Sequence, residues 1–552
     1  MNTFKQFYNQ SIGRNVVLGI MLSGFLAFPA LVTAAPTDIQ TSNNNVLGEN
    51  PEHQKLNTTL SNQSLQAKSQ SSGILQSSGD HYKVRVIYMI PSNRLPQHQA
   101  KQKLQDYVVR MQDWYREEME RLGYGSKSFI YETELNGKAP KINFVYVPQP
   151  DTAFQGGYGD RWGKILDALV TAGYPPWQQG ELMLIIAETE IQNSDDKSPL
   201  YSSFIYNGND SNFFGGAAGG DFTGVGLVTG ETLARLSKTF LTNNKPYAGM
   251  IIDNIGLYPL VQDVTFPWFE GLTLSSTSSS AQGGTLHELS HGLGLGHDFR
   301  NDANFNGNLM GNGLRGLRGA LYPNRYPNDD MRLDSGSALQ LNYNRFFNNK
   351  KVFTENIPPQ VEIQTQNNAV EINGQCGVEF SASDIDSPLA GALLIRDGHV
   401  VADMPLSGKV VRTTLTTYDY VPNEKNEWLV QVFDRQGNRT LSSGVSLTCA
   451  DGKNRAPQPF IRVSKRHLKV GDKILLDAGW SLDPDGDTSK MTVEWDLNGD
   501  GKFDTPSSME KTFTHNYKKP GVYQIIARLT DEYGDTSRSI PFGIRVDRAN
   551  AQ

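Results

Sequence analysis

The chain contains 552 residues, of which 20% are charged, and its formal net charge is −7. This length predicts several domains, because a single hydrophobic core stops growing well below this size. The acidic balance gives no electrostatic attraction to phosphate backbones, so nucleic acid is excluded as a partner. The 22 Tyr, 25 Phe and 53 Gly residues are typical of a β-rich exported protein.

The N-terminus has the organisation of an export signal. Lys5 and Arg14 supply positive charge, residues 16–32 are apolar, and Val32-Thr33-Ala34 has the small-residue pattern of a cleavage site. The alternative is a membrane anchor, since the apolar run is close to the length that spans a bilayer. Glycines and a proline inside the run favour cleavage. We therefore predict a signal peptide over residues 1–34 and a secreted mature protein that is not embedded in a membrane.

Residues 35–80 are rich in Asn, Gln, Ser and Thr and have few large apolar residues. Such a segment cannot bury enough surface to fold alone, so we predict a disordered linker or a propeptide.

Residues 81–350, the first unit, alternate between strand and helix patterns. The Gly-rich run 215–226 is either an edge strand that pairs with an extended substrate or a flexible loop. In chain order the predicted elements are a strand at Tyr82–Ile90, a helix at Gln97–Leu122, strands at Phe129–Glu134 and Lys141–Val147, a helix at Trp162–Ala172, a strand at Glu181–Ala187 and a helix near Ser335–Phe347.

The stretch 283–311 carries the chemistry of this unit. His287 and His291 are four residues apart, so a helix presents both imidazoles to one point, as the first two protein ligands of zinc require. Glu288 is too close to both to be a third ligand and is placed to act on water at the metal. Gly294 can end the helix in a left-handed turn, which lets His297 approach the same point.

This motif, with Met310 further on, resembles the metzincin clan of zinc endopeptidases. The resemblance implies an α+β metzincin-like catalytic domain with one catalytic Zn²⁺ held by His287, His291 and His297, with Glu288 as general base. It also implies that Met310 forms the apolar floor called the Met-turn. Asp298 is the alternative third ligand, although the register favours His297.

A dense group of oxygen-bearing side chains follows the zinc motif. Such groups bind calcium, a hard cation, but a solvated Asn-rich turn explains the same pattern. The group consists of Asp298, Asn301, Asp302, Asn304 and Asn306.

Residues 357–450, the second unit, contain strand patterns such as Trp428–Phe433 and are predicted to form an immunoglobulin-like β-sandwich. The chain has two cysteines, Cys376 and Cys449, and both lie in this unit. In an exported protein with one possible pair, the natural interpretation is a disulfide, with two buried free thiols as the alternative.

Residues 455–548, the third unit, resemble the polycystic-kidney-disease (PKD) type of immunoglobulin-like domain. The motifs are Ser481–Asp487, Val493–Asp496, Gly521–Tyr523 and Asp531–Asp535. The fold class implied for the chain is therefore an α+β peptidase domain followed by two all-β immunoglobulin-like sandwiches.

One loop of the third unit copies the first positions of a calcium loop but lacks its closing Glu. The turn that is usual in PKD domains explains the same residues as structure. The candidate calcium ligands are Asp496, Asn498, Asp500 and Asp504.

Together these patterns predict a secreted zinc endopeptidase (EC 3.4.24) whose partner is a protein or glycoprotein substrate. One alternative keeps the chemistry but directs it at glycoproteins or mucin-like chains. The other is a non-catalytic adhesin or binding protein in which the β-sandwiches act and the zinc domain is a relic. The intact ligand set with its general base argues against the relic.

Overall fold

The structure is a computed structural model of the whole chain. It describes residues 82–135, 137–154, 158–189, 215–245, 273–303, 305–348, 353–354, 357–365, 369–450 and 454–549. The predicted signal peptide and the predicted linker lie outside these ranges. None of the helices in the described ranges combines the length and apolar character that a bilayer span requires.

The first unit contains one main sheet, with helices on both of its faces. The described elements are strands β1 (Lys83–Pro91), β2 (Ile142–Val147), β3 (Glu181–Ala187), β4 (Gly215–Gly219), β5 (Gly224–Thr229), β6 (Asn306–Asn308) and β7 (Asp330–Arg332), and helices α1 (Ala100–Arg121), α2 (Tyr158–Thr171), α3 (Gly230–Ala234), α4 (Leu274–Gly292), α5 (Leu317–Leu321) and α6 (Ser335–Tyr343).

The main sheet has the order β2-β1-β3-β5-β4, and its strands are parallel except for β4, which runs antiparallel to β5. Both faces of β1 are apolar because both are covered, as expected of parallel strands. Val86 and Tyr88 face the core shared with α1 and α4, whereas Ile87 and Met89 face α2. The Gly-rich run therefore contains an edge strand, β4, rather than only a loop.

Most elements predicted for this unit are confirmed, with boundaries shifted by a few residues. The strand predicted over Phe129–Glu134 is wrong, because this segment forms only isolated bridges, such as that of Val84 with Tyr131. The physical reason is that β2 occupies the same edge of β1 from Val86 onwards, so little of that edge is left for the segment.

Helix α4 is almost entirely buried although it is rich in serine. Some of its hydroxyls bond within the helix: Ser280 donates to the carbonyl of Ser276 at 3.1 Å, and Thr285 to that of Ala281 at 2.8 Å. Ser279 instead donates to the carbonyl of Arg315 in a neighbouring segment, at 2.6 Å. Thr273 caps the N-terminus through a capping box with Ser276. Most of these buried hydroxyls thus find carbonyl acceptors, either in the helix or in the segments packed on it, and the small side chains let those segments approach the helix closely.

The second unit has two sheets with a shared core that includes Val378, Leu415 and Trp428. One sheet has the order β13-β10-β8 with β9 on β10, and the other has the order β12-β11-β14-β15 with β16 on β14. The strands are β8 (Gln360–Ile363), β9 (Val370–Ile372), β10 (Gln375–Ser383), β11 (Leu389–Arg396), β12 (His399–Pro405), β13 (Val410–Thr417), β14 (Lys425–Asp434), β15 (Arg439–Leu441) and β16 (Val445–Thr448).

The predicted disulfide is confirmed: Cys376 and Cys449 are bonded, with their Cα atoms 5.9 Å apart. It joins β10 to the residue after β16, near opposite ends of the unit's sequence.

The third unit has the sheets β17-β19-β21 and β18-β24-β22-β20, with β23 on β22, around a core that includes Trp495 and Ile525. The strands are β17 (Arg462–Val463), β18 (His467–Lys469), β19 (Lys473–Asp477), β20 (Thr492–Asp496), β21 (Thr512–Asn516), β22 (Gly521–Thr530), β23 (Thr536–Arg538) and β24 (Phe542–Asp547).

The disulfide yields a stability prediction. Its two cysteines are 73 positions apart, and in the loop-entropy model closing a loop of that length stabilises a fold by about 4 kcal/mol. The double variant Cys376→Ser/Cys449→Ser should therefore exchange its amide hydrogens faster in β10 and β14 than the wild type, measured by mass spectrometry. Strand β22 of the third unit is the internal control. Equal exchange in β10 and β14 of both proteins would contradict the prediction.

Candidate metal centre

Helix α4 carries His287, Glu288 and His291 and ends as the sequence predicted. Gly294 has a φ of 87°, in the left-handed region, and its N–H donates to the carbonyl of His291 at 2.8 Å. The N–H of Leu295 donates to the carbonyl of Ser290 at 3.1 Å. This pair of bonds is the Schellman motif, and it turns the chain back so that His297 faces the helix.

The three histidines converge on one point. The Nε2 atom of His291 lies 2.9 Å from that of His287 and 3.2 Å from that of His297. Within the described ranges, this is the one group of three or more His, Cys, Asp or Glu side chains whose ligand atoms all lie within 4.8 Å of one another. The structure thus brings together the three histidines that the sequence singled out.

Backbone carbonyls fix the orientation of two of the rings. Nδ1 of His287 lies 2.8 Å from the carbonyl oxygen of Leu309, and Nδ1 of His291 lies 2.8 Å from that of Leu295. A carbonyl only accepts, so each Nδ1 carries the proton and each Nε2 directs its lone pair inward. Lone pairs that face each other at this distance repel unless a cation lies between them. The donor set therefore fits a divalent metal such as zinc.

The charge state of His287 agrees with this fit. Burial lowers the pKa of His287 to about 4, outweighing the hydrogen bond to the Leu309 carbonyl, which raises it; the nearby Arg315 lowers it further. The ring is therefore neutral at pH 7, which is the form that binds a metal.

Glu288 lies against the first residue of the edge strand β4. It is 1% exposed. A Cβ atom on Gly215 of β4 would lie 3.2 Å from its Cγ, and one on Gly226 of β5 would lie 2.8 Å from its carbonyl oxygen. Glycines at these two positions therefore let β4 and β5 pack directly on the part of α4 that carries the carboxylate.

Met310 is fully buried in the core that also contains residues of α4. The turn around it is held by Asp302, whose carboxylate accepts from the backbone N–H groups of Asn308 at 3.1 Å, Asn312 at 2.5 Å and Gly313 at 3.2 Å. Leu309 lies in the same turn, and its carbonyl orients the ring of His287. By holding the turn, Asp302 therefore helps to position the first histidine.

These supporting residues were not identified in their roles from the sequence. The sequence pattern indicates Asp302 only as a calcium ligand or part of a solvated turn, and backbone carbonyls have no sequence signature. The sequence does show two glycines, Gly307 and Gly311, close after Asp302. The structure explains them, because a Cβ on Gly307 or Gly311 would lie 1.5 Å or 2.4 Å from a carboxylate oxygen of Asp302.

Three residues of the predicted calcium patch, Asp298, Asn301 and Asn306, are buried, and Asp302 is partly buried. Asp298, the alternative metal ligand, pairs with Arg300 at 2.5 Å instead of joining the histidines. Asn301 accepts from the N–H of Ile461 at 2.7 Å, and Asn306 accepts from Arg332 at 2.8 Å. Asn304 lies outside the described residues. These side-chain oxygens thus form hydrogen bonds or ion pairs with protein groups. Calcium binding here stays a prediction.

The candidate calcium loop of the third unit is also hydrogen-bonded to itself. Asp496 accepts from the N–H groups of Asn498, Gly499 and Gly501, and Asp504 accepts from that of Leu497 at 2.8 Å. The side chain of Asn498 bonds to that of Asp500 at 3.3 Å. These contacts are those of the structural turn, and calcium in this loop likewise stays a prediction.

Comparison with protein families identifies one segment of the chain. Residues 454–546 match the model of the PKD domain. The PKD domain predicted for the third unit is therefore present. No curated protein sequence matches the chain.

Two solved structures cover most of the chain at low similarity. Wild-type OgpA from Akkermansia muciniphila has 15% identity over 68% of this chain and 94% of its own, with a TM-score of 0.45. Catalytically inactive OgpA in complex with an O-glycopeptide substrate, glycodrosocin, has 14% identity over the same shares and the same TM-score. The fibronectin(III)-like modules of Clostridium thermocellum CbhA have 13% identity over 35% of this chain and 97% of their own, with a TM-score of 0.15.

The role of Asp302 yields a prediction. Asp302→Asn removes one acceptor oxygen and places an amide donor against backbone N–H groups. We expect it to destabilise the fold by about 1–3 kcal/mol and to weaken zinc binding, because the turn that orients His287 loosens. Zinc affinity is measured by competition with a chelating dye, and stability by thermal unfolding.

The matched control is Asp384→Asn in the second unit. Asp384 is buried and, like Asp302, accepts backbone N–H groups, from Asp386 at 2.9 Å and Ser387 at 2.8 Å. This variant should lose stability but keep its zinc affinity. Equal zinc affinity in both variants would contradict the role assigned to Asp302.

Proposed function

We propose that this protein is a secreted zinc-dependent endopeptidase of the metzincin type, which hydrolyses peptide bonds in extracellular proteins or glycoproteins. The observation that carries the proposal is the convergence of the Nε2 atoms of His287, His291 and His297: that of His291 lies 2.9 Å from that of His287 and 3.2 Å from that of His297.

The three histidines would hold the zinc ion, and their neutral imidazoles would leave it its full double charge. When bound, zinc supplies a Lewis acid that lowers the pKa of water and polarises the carbonyl of the scissile peptide. His291 and His297 are only partly buried, so a substrate would approach the metal position from their side.

Glu288 carries the proton transfers. It follows His287 directly on α4 and is buried, which is the place expected of a residue that acts on water at the metal without being a ligand. It accepts the proton of the attacking water and then delivers it to the departing amine, as one positioned group does in general acid–base catalysis.

The edge strand β4 supplies a binding surface for an extended substrate. Among the described strands it is the last one of the main sheet, and Gly215 lies against Glu288. A substrate that adds to this edge by backbone hydrogen bonds brings its peptide bonds alongside the carboxylate. The contacts need no particular side chain, which suits an endopeptidase.

Secretion is supported by two independent features. The first is the sequence pattern of residues 1–34. The second is the disulfide between Cys376 and Cys449, because such bonds form and persist outside the reducing cytosol.

The competing hypothesis is a non-catalytic adhesin. Incubating the purified protein with casein, with and without a zinc chelator, distinguishes the two. The proposal predicts chelator-sensitive cleavage that returns on addition of zinc, whereas the adhesin predicts no cleavage in any condition.

Protein and glycoprotein substrates are distinguished by one matched pair of peptides. The same sequence is offered with and without an O-linked glycan, and the initial rates are compared. A general peptidase cleaves the bare peptide at least as fast, whereas a glycoprotein-directed enzyme cleaves only the glycosylated form.

The role of Glu288 yields a further prediction. Glu288→Gln should keep the fold and the zinc content, because the side chain keeps its size and is not a ligand. It should lower kcat on casein by about 10²–10⁴-fold, the usual contribution of a general base. The control is Glu379→Gln, an equal change at an exposed position of the second unit, which should leave kcat unchanged. A Glu288→Gln protein with wild-type activity would refute the assigned role.

A further inference from the structure

The short segment Gly294–His297 connects the second and third histidines, and we call it the reversal. Its Leu295 carbonyl accepts from Nδ1 of His291 at 2.8 Å, and its last residue is itself the third histidine. The position of the reversal therefore decides the position of two of the three rings.

The first end of the reversal is bonded to the second unit. Nη1 of Arg439, the first residue of β15, donates to the carbonyl of Gly294 at 2.7 Å. A Cβ atom on Gly294 would lie 1.9 Å from this Nη1, so no other residue at position 294 leaves the guanidinium in place. Gln340 of α6 donates to the same carbonyl at 2.8 Å.

Arg439 is itself held by the first unit. Its Nε donates to Oδ1 of Asp221 at 2.6 Å, and its backbone N–H donates to Oδ2 at 3.2 Å. Asp221 lies in the turn between β4 and β5. The Arg439 side chain is only 10% exposed, so solvent does little to weaken the pair. One side chain thus joins the second unit, the reversal and the turn of the edge strand.

The other end of the reversal is bonded to the second unit as well. The N–H of Val400 in β12 donates to the carbonyl of His297 at 2.8 Å, and His297 forms a parallel bridge with His399. The ring of His399 also contacts that of Phe299, with ring centroids 5.8 Å apart. Strand β12 of the second unit therefore pairs with the backbone of the third histidine.

We propose that the second unit is a structural part of the metal site, and that Arg439 and Val400 are positioning residues for His291 and His297. The inference rests on the metal site of the proposed function but not on peptide hydrolysis. If docking of the second unit favours zinc binding, zinc binding must favour the docking to the same extent, because coupling between two equilibria is reciprocal.

The first test removes the Arg439 side-chain donors. Arg439→Met should raise the Kd for zinc about 10-fold. This is the low end of the effect that is usual for residues that orient metal ligands, because Gln340 still donates to the Gly294 carbonyl. Arg439→Lys keeps a donor and should fall between Arg439→Met and the wild type. The Kd is measured on the full-length chain by competition with a chelating dye.

The matched control is Arg545→Met. Arg545 also forms an ion pair between units, with Glu120 at 2.9 Å, but it belongs to the third unit and does not contact the reversal. It should leave the Kd unchanged. A Kd of Arg439→Met within twofold of the wild type would overturn the inference. A wild-type protein that binds no zinc would instead overturn the proposed function.

The second test needs no variant. Amide hydrogen exchange of the wild-type chain is measured by mass spectrometry with and without zinc. Zinc should slow exchange in the peptide that contains Val400, because its N–H bonds to His297, and should leave β22 of the third unit unchanged. Unchanged exchange at Val400 in a protein that binds zinc would overturn the inference.

Discussion

The structure depends on the mutual approach of three imidazole nitrogens: Nε2 of His291 lies 2.9 Å from that of His287 and 3.2 Å from that of His297, and the lone pairs of His287 and His291 face each other. Such an approach is unfavourable without a cation, so the surrounding protein must hold the rings in place. The carbonyls of Leu295 and Leu309 hold two of them. The glycines of β4 and β5 let the sheet pack closely on the helix that carries them. Fixed ligands of this kind favour one metal geometry over others.

The chain between the second histidine and Met310 is bonded to all three units. Arg439 and Val400 hold it from the second unit, and Asn301 bonds in both directions to the backbone of Ile461 in the third. The buried pair of Arg466 with Glu118, 2.7 Å apart, adds a further link between the third unit and α1. The two β-rich units therefore support the candidate metal centre, a role that is separate from any ligand they bind.

The sequence predicted what local rules determine. The spacing from His287 to His297 and the left-handed Gly294 follow from helix geometry, and the disulfide follows from there being a single pair of cysteines. Other features depend on contacts between distant residues and have no local pattern. The Arg439–Gly294 bond joins positions 145 residues apart. From the sequence, the oxygen-rich patch is either a calcium site or a solvated turn, because sequence does not show that the Asp302 carboxylate accepts from backbone N–H groups.

The most direct test of the account is the metal content and coordination of the purified, full-length protein. Elemental analysis gives the number of zinc ions per chain, and X-ray absorption at the zinc edge gives the ligands. The account predicts one zinc per chain with three imidazole ligands, and loss of that zinc in His297→Ala. A folded protein without stoichiometric zinc, or a zinc ion bound by other side chains, would contradict it.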